Sequence, residues 1–218
     1  MDFSKKWFRF RIFILTLPYL TVMMNFMVLR FFLGKWLELS ITAFSKQPDL
    51  LEKIMTLDPE QLRHAMRAWT TGVAVITAQH DGQRYGMTVN SFTSISLEPP
   101  LVSVALKQLT HTHELVENSN EFSVTILASH QKNLSDRFAG KIPNIQDRFE
   151  GVPTETLSIP APLIKDGMAF FNCRVLKAIP VGENTLFIAE VIAARGEGEG
   201  DPLVYHNRVY WKLNVAAV

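Results

Sequence analysis

Residues 86–96 read GMTVNSFTSIS, and their reading decides the fold. On an extended strand alternate side chains point to opposite faces, so Thr88, Asn90, Phe92, Ser94 and Ser96 share one side while Met87, Val89, Ser91, Thr93 and Ile95 share the other. The first side is mostly hydroxyls and an amide. Each such group costs about 1–3 kcal/mol if buried without a partner, so a strand like this inside a small domain needs something to pair with. For a single Ser or Thr the ordinary partner is neighbouring backbone or water. The segments around it supply a further candidate.

Upstream, Gly72 opens GVAVITA, a β-branched run that reads as a strand, and HDGQ at 80–83 supplies an Asp-Gly turn that folds the two runs into a hairpin. Before it, Asp58 followed by Pro59 signals a helix start, with the helix expected to reach Trp69. Downstream, Pro99 and Pro100 stop the element, LVSVAL (101–106) reads as a buried strand, and Thr110 to Asn120 as a short helix. EFSVTIL (121–127) is the next strand, after which Ser129 is expected to cap a helix through HQKNLSDRF that Gly140 ends. Lys141 to Pro162 is rich in proline and polar residues and reads as an excursion over the surface. Strands resume with MAFFNCRVLKAI, TLFIAEVIAA and RVYWKLNV, separated by turns at VGEN and GEGEGDP. Six or seven strands with short helices and no regular strand–helix alternation predict a mainly β (α+β) fold, an antiparallel barrel with helical insertions.

Several function classes drop out. The 218 residues, 47% hydrophobic and 20% charged, suit one globular domain plus additional chain. With 22 basic and 21 acidic residues there is no electrostatic footprint for nucleic acid. Cys173 is the only cysteine, which excludes an internal disulfide and a thiolate-built zinc site; within FFNCRVL it reads as a buried, inert thiol. GEGEGD (196–201) is a turn and no dinucleotide fingerprint, because its third glycine comes too early and Pro202 blocks the helix that should follow. His111 and His113 have metal-compatible spacing but lack a third ligand, and no metal site is assigned.

Residues 1–54 differ from the rest. KKWFRFR precedes an apolar stretch from Ile12 to Leu29, interrupted by Pro18 and Asn25. Three readings stay open: an extension upstream of a natural start at Met55, a membrane anchor, or an interfacial helix. The working division is therefore 1–54 as an apolar and basic extension and 55–218 as the functional domain.

Two helix starts join the polar strand face. Lys107, Thr110 and Thr112 lie at one, and Ser129, with Lys132 and Arg137 behind it, heads the other. Helix N-termini with a nearby basic side chain favour phosphate. A flat, polar-edged molecule with a phosphate tail would satisfy all three segments.

GMTVNSFTSISLEPPLVSVAL, preceded by WTTGVAVITA and followed by FSVTILASHQKNLSDRFAG, closely resembles the short-chain flavin reductases that act as reductase components of two-component flavin monooxygenases. The ending GDPLVYHNRVYWKL is similar too, and the resemblance runs from about residue 60 to the C-terminus. It implies a Greek-key, FMN-binding split barrel, usually a homodimer, that holds FMN or FAD and reduces it with NADH or NADPH. Carried onto this chain, Thr88, Val89, Asn90 and Ser91 would line the isoalloxazine. Lys107, Thr110 and Thr112 would follow the ribityl and phosphate portion, with Ser129, Gln131, Arg137 and Phe138 closing the other side. No side chain acts as acid or base. Lacking a Rossmann fingerprint, the nicotinamide nucleotide would share the flavin groove. Reduced flavin would then pass to a partner oxygenase in the cytoplasm.

One departure stands out. Family members often carry Gly-Asp-His in the turn before the strand that here begins TLFIAEV, with the histidine near the nicotinamide. Here the turn reads Gly182, Glu183, Asn184, and asparagine supplies a hydrogen bond but no charge. His206, Arg208 and Tyr210 are the residues placed to compensate from the C-terminal segment. A flavin-binding electron carrier without nicotinamide turnover is the alternative this departure favours. The same fold can also hold haem or a pyridoxal-type phosphate, and a membrane-associated scaffold is the reading outside it.

Overall fold

The structure, a computed structural model, describes residues 57–197 and 200–213. The readings of residues 1–54, the middle of the GEGEGDP turn reading at 198–199 and the end of the RVYWKLNV strand reading at 214–215 lie outside them. The chain divides into two compact units, Met1–Leu62 and Arg63–Val218. The Asp58 carboxylate accepts the Glu60 amide at 2.9 Å and opens helix α1 (Pro59–Met66), whose first half belongs to the first unit and second half to the second. That helix stops three residues short of Trp69. Arg67, Ala68 and Trp69 donate to carbonyls three residues back, so the winding tightens into turns and cannot continue as α-helix.

The second unit is built on a seven-stranded sheet. Its strands are β2 (Ala74–His80), β3 (Gln83–Val89), β4 (Thr93–Ser96), β5 (Leu101–Lys107), β6 (Glu121–Ile126), β9 (Ala169–Val181) and β10 (Asn184–Gly196), paired antiparallel in the order β3-β2-β6-β9-β10-β5-β4. A three-stranded sheet joins β1 (Thr71–Gly72), β11 (Val204–His206) and β12 (Val209–Trp211), and β7 (Thr154–Glu155) pairs with β8 (Leu163–Ile164). Helix α2 (His111–Ser119) carries the chain from β5 to β6, over the inserted β9–β10 hairpin, a crossing of Greek-key kind.

GMTVNSFTSIS is two strands, and the break between them makes the barrel. β3 and β4 are the opposite edges of the sheet, yet only Asn90, Ser91 and Phe92 separate them. Four residue steps span at most about 14 Å, whereas six strand spacings across a flat sheet would put the edges about 29 Å apart. The sheet must therefore curl until its edges nearly meet. It stays open, because β3 and β4 are not hydrogen-bonded neighbours. The Ser91 hydroxyl pins the break by donating to the Ala105 carbonyl on β5 at 2.9 Å. The single polar face expected from Thr88 to Ser96 is corrected accordingly: the alternation restarts at Thr93.

Two cores flank β2, which explains its uninterrupted apolar run. Ala74, Ile76 and Ala78 pack inside the barrel with Val104, Leu106, Phe122, Val124, Cys173 and Phe187. Val73 and Val75 pack outward with Leu127, Phe138, Phe149, Ile164 and Leu203. The Lys141–Pro162 excursion is bolted to the sheet more firmly than its composition predicts. The Ser123 hydroxyl donates to the Ala161 carbonyl at 2.8 Å and Thr77 to that of Pro162, the Thr125 hydroxyl accepts the Ile164 amide at 3.0 Å, and Ile159, Ala161, Leu163 and Ile164 are buried. The hydroxyls that alternate along β6 are thus satisfied by a returning loop. Cys173 is fully buried, and burial pushes its thiol up to about 12.

Candidate functional site

Helix α2 begins as its sequence demands. Thr110 is the N-cap in extended conformation; its hydroxyl accepts the His113 amide at 3.4 Å and donates to the Lys107 carbonyl at 2.8 Å, while its carbonyl takes the Glu114 amide at 3.0 Å. The Thr110 hydroxyl thus serves one of the amides that a helix start leaves unbonded, that of His113, and the amides of His111 and Thr112 find no acceptor among the described residues. The Thr112 hydroxyl is also without a partner although the residue is only 1% exposed. Beside it, Lys107 makes a loose 3.7 Å pair with Glu183, both side chains largely in solvent. Exposed pairs of this kind contribute about 0–1 kcal/mol, so Lys107 exchanges its partner easily. Two free amides at the positive end of a helix, an ammonium group and, buried behind them, an orphaned hydroxyl are groups that could hold an anion.

The strand break supplies the second half. Thr88, Val89 and Asn90 line a cavity of about 180 Å³ with Lys141, Tyr205 and Tyr210, and the Thr88 hydroxyl donates to the Ser135 carbonyl at 2.7 Å. On the other side of Val89 and Asn90 lies a cavity of about 240 Å³ walled by Trp69–Ala74 and Phe92. Asn90 is exposed between the two. Ser91 connects this region to the anion site, since its bond to Ala105 lies two residues from Lys107, and Tyr85 of β3 packs its ring against His111 at 5.1 Å.

Tyr210 is held by a polar cluster. Its hydroxyl donates to Asp136 at 3.0 Å and accepts from Ser135 at 2.9 Å, with Lys141 and Lys132 at 5.1 and 5.7 Å over its ring. Burial works against the charged form of Asp136, but hydrogen bonds from Lys141 and Tyr210 outweigh it and hold the carboxyl below its ordinary value. The same Lys141–Asp136 bond, 2.8 Å long, raises Lys141.

The second expected helix start takes a different form. Ser129 is no cap; it begins a 3₁₀ turn (Ser129–Gln131) whose N-cap is Ala128. The Gln131 side chain does the capping work instead, accepting the Ala128 amide at 3.0 Å and donating to Lys165 at 2.7 Å. Ser129 lies on a separate cavity of about 440 Å³ with Lys165 and Arg195. That cavity lies at the Ala169/Gly196 end of the β9–β10 ladder, whereas Asn184 begins the other end. Helix α3 (Lys132–Phe138) follows. Arg137 donates to the Glu150 carbonyl at 2.7 Å, and Phe138 is wholly buried edge-on to Phe149, with no surface left to offer a ligand.

Asn184 pairs in register with Lys107, so the expected nicotinamide-side and phosphate-side residues are neighbours across two strands. His206 is turned to Thr70, Nδ1 to Oγ1 at 2.8 Å, and Arg208 occupies the β11–β12 turn with φ of 65°. The structure therefore brings together Thr88, Val89, Asn90 and Tyr210 around the break and Lys107, Thr110, Thr112 and Asn184 at the α2 start, with Ser91 between. It does not bring Ser129, Gln131, Arg137 or Phe138 to that place with free polar groups, apart from the unpartnered Arg137 Nε. Lys141, Tyr205, Trp69 and Phe92 line the cavities without having been expected. WTTGV carried a signal for Trp69; Lys141 and Tyr205 carried none beyond their place beside Gly140 and Tyr210.

Residues 66–214 match the model of the flavin reductase like domain. The chain belongs to the flavin reductase like family. This flavin reductase-like chain is 39% identical over 140 residues to the NADH-dependent flavin reductase StyB of Pseudomonas fluorescens, covering 63% of this chain and 78% of that protein. It is 33% identical to the reductase component of a 4-nitrophenol 4-monooxygenase/4-nitrocatechol 2-monooxygenase of Rhodococcus opacus, over 70% and 80% of the two chains. Among solved structures, the NADH:FAD oxidoreductase SgcE6 of Streptomyces globisporus, in complex with NAD and FAD fragments, superposes with a TM-score of 0.68 at 29% identity, over 75% of this chain and 99% of that one.

Among the described residues no three His, Cys, Asp or Glu side chains are placed to hold a metal, and no helix is long and apolar enough to cross a membrane. His111 and His113 face apart, the first exposed beside Glu114 and the second buried against Thr185.

Proposed function

We propose that the chain is an NAD(P)H-dependent flavin reductase that binds FMN or FAD between the Val89–Phe92 break and the α2 start. It takes hydride from NADH or NADPH and passes reduced flavin to a partner monooxygenase. One observation carries the reading: an exposed polar strand break and an anion-ready helix start lie on one side of the barrel, joined through Ser91. The relatives described above are NADH-dependent and monooxygenase-associated reductases, which points the same way.

A flavin phosphate fits the α2 start because the amides of His111 and Thr112 and the Thr112 hydroxyl lack acceptors there and Lys107 has only the loose, exposed pair with Glu183 to exchange. When bound, the flavin supplies the hydride-accepting ring, and its redox chemistry is its own. The protein's part is to orient and to exclude water. The Asn90 amide can donate and accept, which suits the alternating edge of an isoalloxazine. Asn184, beside Lys107, would bind the nicotinamide carboxamide without taking a proton. Tyr210, fixed by Asp136 and Ser135, closes the cavity beside Thr88.

A homodimer suits the surface. Trp69, Ile95, Leu97 and Leu109 are between half and nine-tenths exposed, an apolar set that a second copy would cover. The catalytic domain is assigned to the cytoplasm, where nicotinamide nucleotides are available. Oxidation of NADH and NADPH by the full chain, with FMN or FAD added, tests the proposal; turnover that requires flavin supports it, and flavin binding without turnover by either nucleotide refutes it.

A further inference from the structure

The β5–α2 connector and the β9–β10 hairpin tip are stitched together, and the innermost stitch is a histidine that the flavin chemistry does not use. His113 is 4% exposed and its Nε2 lies 2.8 Å from the Thr185 hydroxyl. Thr185 is 2% exposed and sits opposite Leu106 in the ladder, one residue after Asn184. From the surface side, Gln108 Nε2 reaches the Asn184 carbonyl at 3.1 Å and the Thr185 hydroxyl at 3.5 Å, and the Gln108 amide donates to the Glu183 carbonyl at 3.0 Å.

The directions of these bonds follow from what each group can do. The Gln108 nitrogen can only donate, so the Thr185 oxygen accepts from it. The Thr185 hydroxyl hydrogen then needs an acceptor, and among the described residues His113 Nε2 is the one in reach. A buried hydroxyl without an acceptor is costly, so Nε2 carries no proton. The ring proton then falls to Nδ1, which lies at ion-pair distance, 3.5 Å, from the half-exposed Glu117 carboxylate and has no hydrogen-bond partner among the described residues. The imidazole and the Thr185 hydroxyl are buried, while the Glu117 carboxylate is half in solvent. At the Thr185 end the contacts lead through Gln108 to Asn184.

We propose that His113 is a positioning residue: through Thr185 and Gln108 it locks the Asn184 turn to the segment bearing Lys107, Thr110 and Thr112, so that flavin and nicotinamide nucleotide are held by one rigid unit. This rests on the flavin reductase reading. Two halves of the site that lie on separate elements then keep a fixed separation, and losing the lock loosens both ligands together.

The test uses the full chain as wild type, H113L, H113Q and Q108A, with flavin dissociation constants from fluorescence quenching and steady-state NADH kinetics. H113L keeps the packing and removes the acceptor; it should raise the flavin Kd and the NADH KM together by about 5- to 10-fold, the effect of roughly one hydrogen bond, with kcat within about twofold. H113Q, whose amide can accept from Thr185, should return both constants to within about twofold of wild type. Q108A cuts the chain at its solvent end and should raise both constants even if H113L does not fold. A purely structural histidine would lower the folded fraction and leave Kd and KM unmoved. The proposal is overturned if H113L, or Q108A where H113L is lost, shows wild-type constants, or if H113Q behaves as H113L. Absence of both NADH and NADPH oxidation by the wild type would refute the reductase reading instead, and the flavin Kd series would still decide the role of His113.

Discussion

Replacing Thr112 with valine should make the protein more stable and a poorer flavin binder at once. The hydroxyl of Thr112 is buried in the first turn of α2 and has no partner among the described residues. Leaving such a group unpaired costs about 1–3 kcal/mol, and valine keeps the branched shape with nearly the same helix propensity. Without ligand, T112V should gain about 1 kcal/mol, which for a domain of this size is a rise in Tm of about 2–4 °C. With ligand the sign reverses. A hydrogen bond to a charged phosphate is worth about 1.5–3 kcal/mol, so the flavin Kd should rise about 10- to 150-fold. Thermal unfolding with and without FMN, together with fluorescence titration, measures both. A variant that loses stability while binding flavin normally would show that the hydroxyl serves the fold and that the phosphate lies elsewhere.

Other expectations follow from single contacts. Ser91→Ala removes the pin between the strand break and Ala105 and should cost about 1 kcal/mol of unfolding free energy in denaturant titration, because one net hydrogen bond is lost. Cys173 should resist alkylation in the native protein at pH 8 and react once unfolded, since burial pushes its thiol up to about 12; native reactivity would place it at the surface. Asp136 is held below its ordinary 3.8, so its contribution to stability is present above that value and is lost as pH falls through the folded pKa. Lys141 is raised above 10.5, so its share is present below that value and lost as pH rises. D136N should flatten both limbs of the stability profile against pH, and an unchanged profile would dismiss the pair.

Much of the fold was legible because local chemistry and tertiary context agree. Asp81-Gly82 at positive φ makes the β2–β3 turn, Thr110 caps α2, and Gly140 ends α3 at φ of 72°, as their residue types require. The break at Asn90–Phe92 was hidden, because alternation continues through it in the sequence and only the need to join opposite sheet edges interrupts it. The 141–162 segment looked loose for a related reason: its anchors are hydroxyls of Thr77, Ser123 and Thr125 on other strands, invisible to any local pattern. The α2 start that groups Lys107, Thr110 and Thr112 was readable from the cap signal of Thr110 beside a lysine. Ser129 misled because Gln131, two residues on, performs the capping that a serine in that position advertises. His113 read only as an ordinary residue at a helix entry, because its partner Thr185 lies on β10, far along the chain.

The most direct test of the central claim is anaerobic mixing of the full chain, equilibrated with FMN or FAD, with NADH or NADPH while the flavin's visible absorbance is followed. The account predicts bleaching that depends on the protein and on a reduced nicotinamide nucleotide. Flavin that binds and stays oxidised with both nucleotides would contradict it.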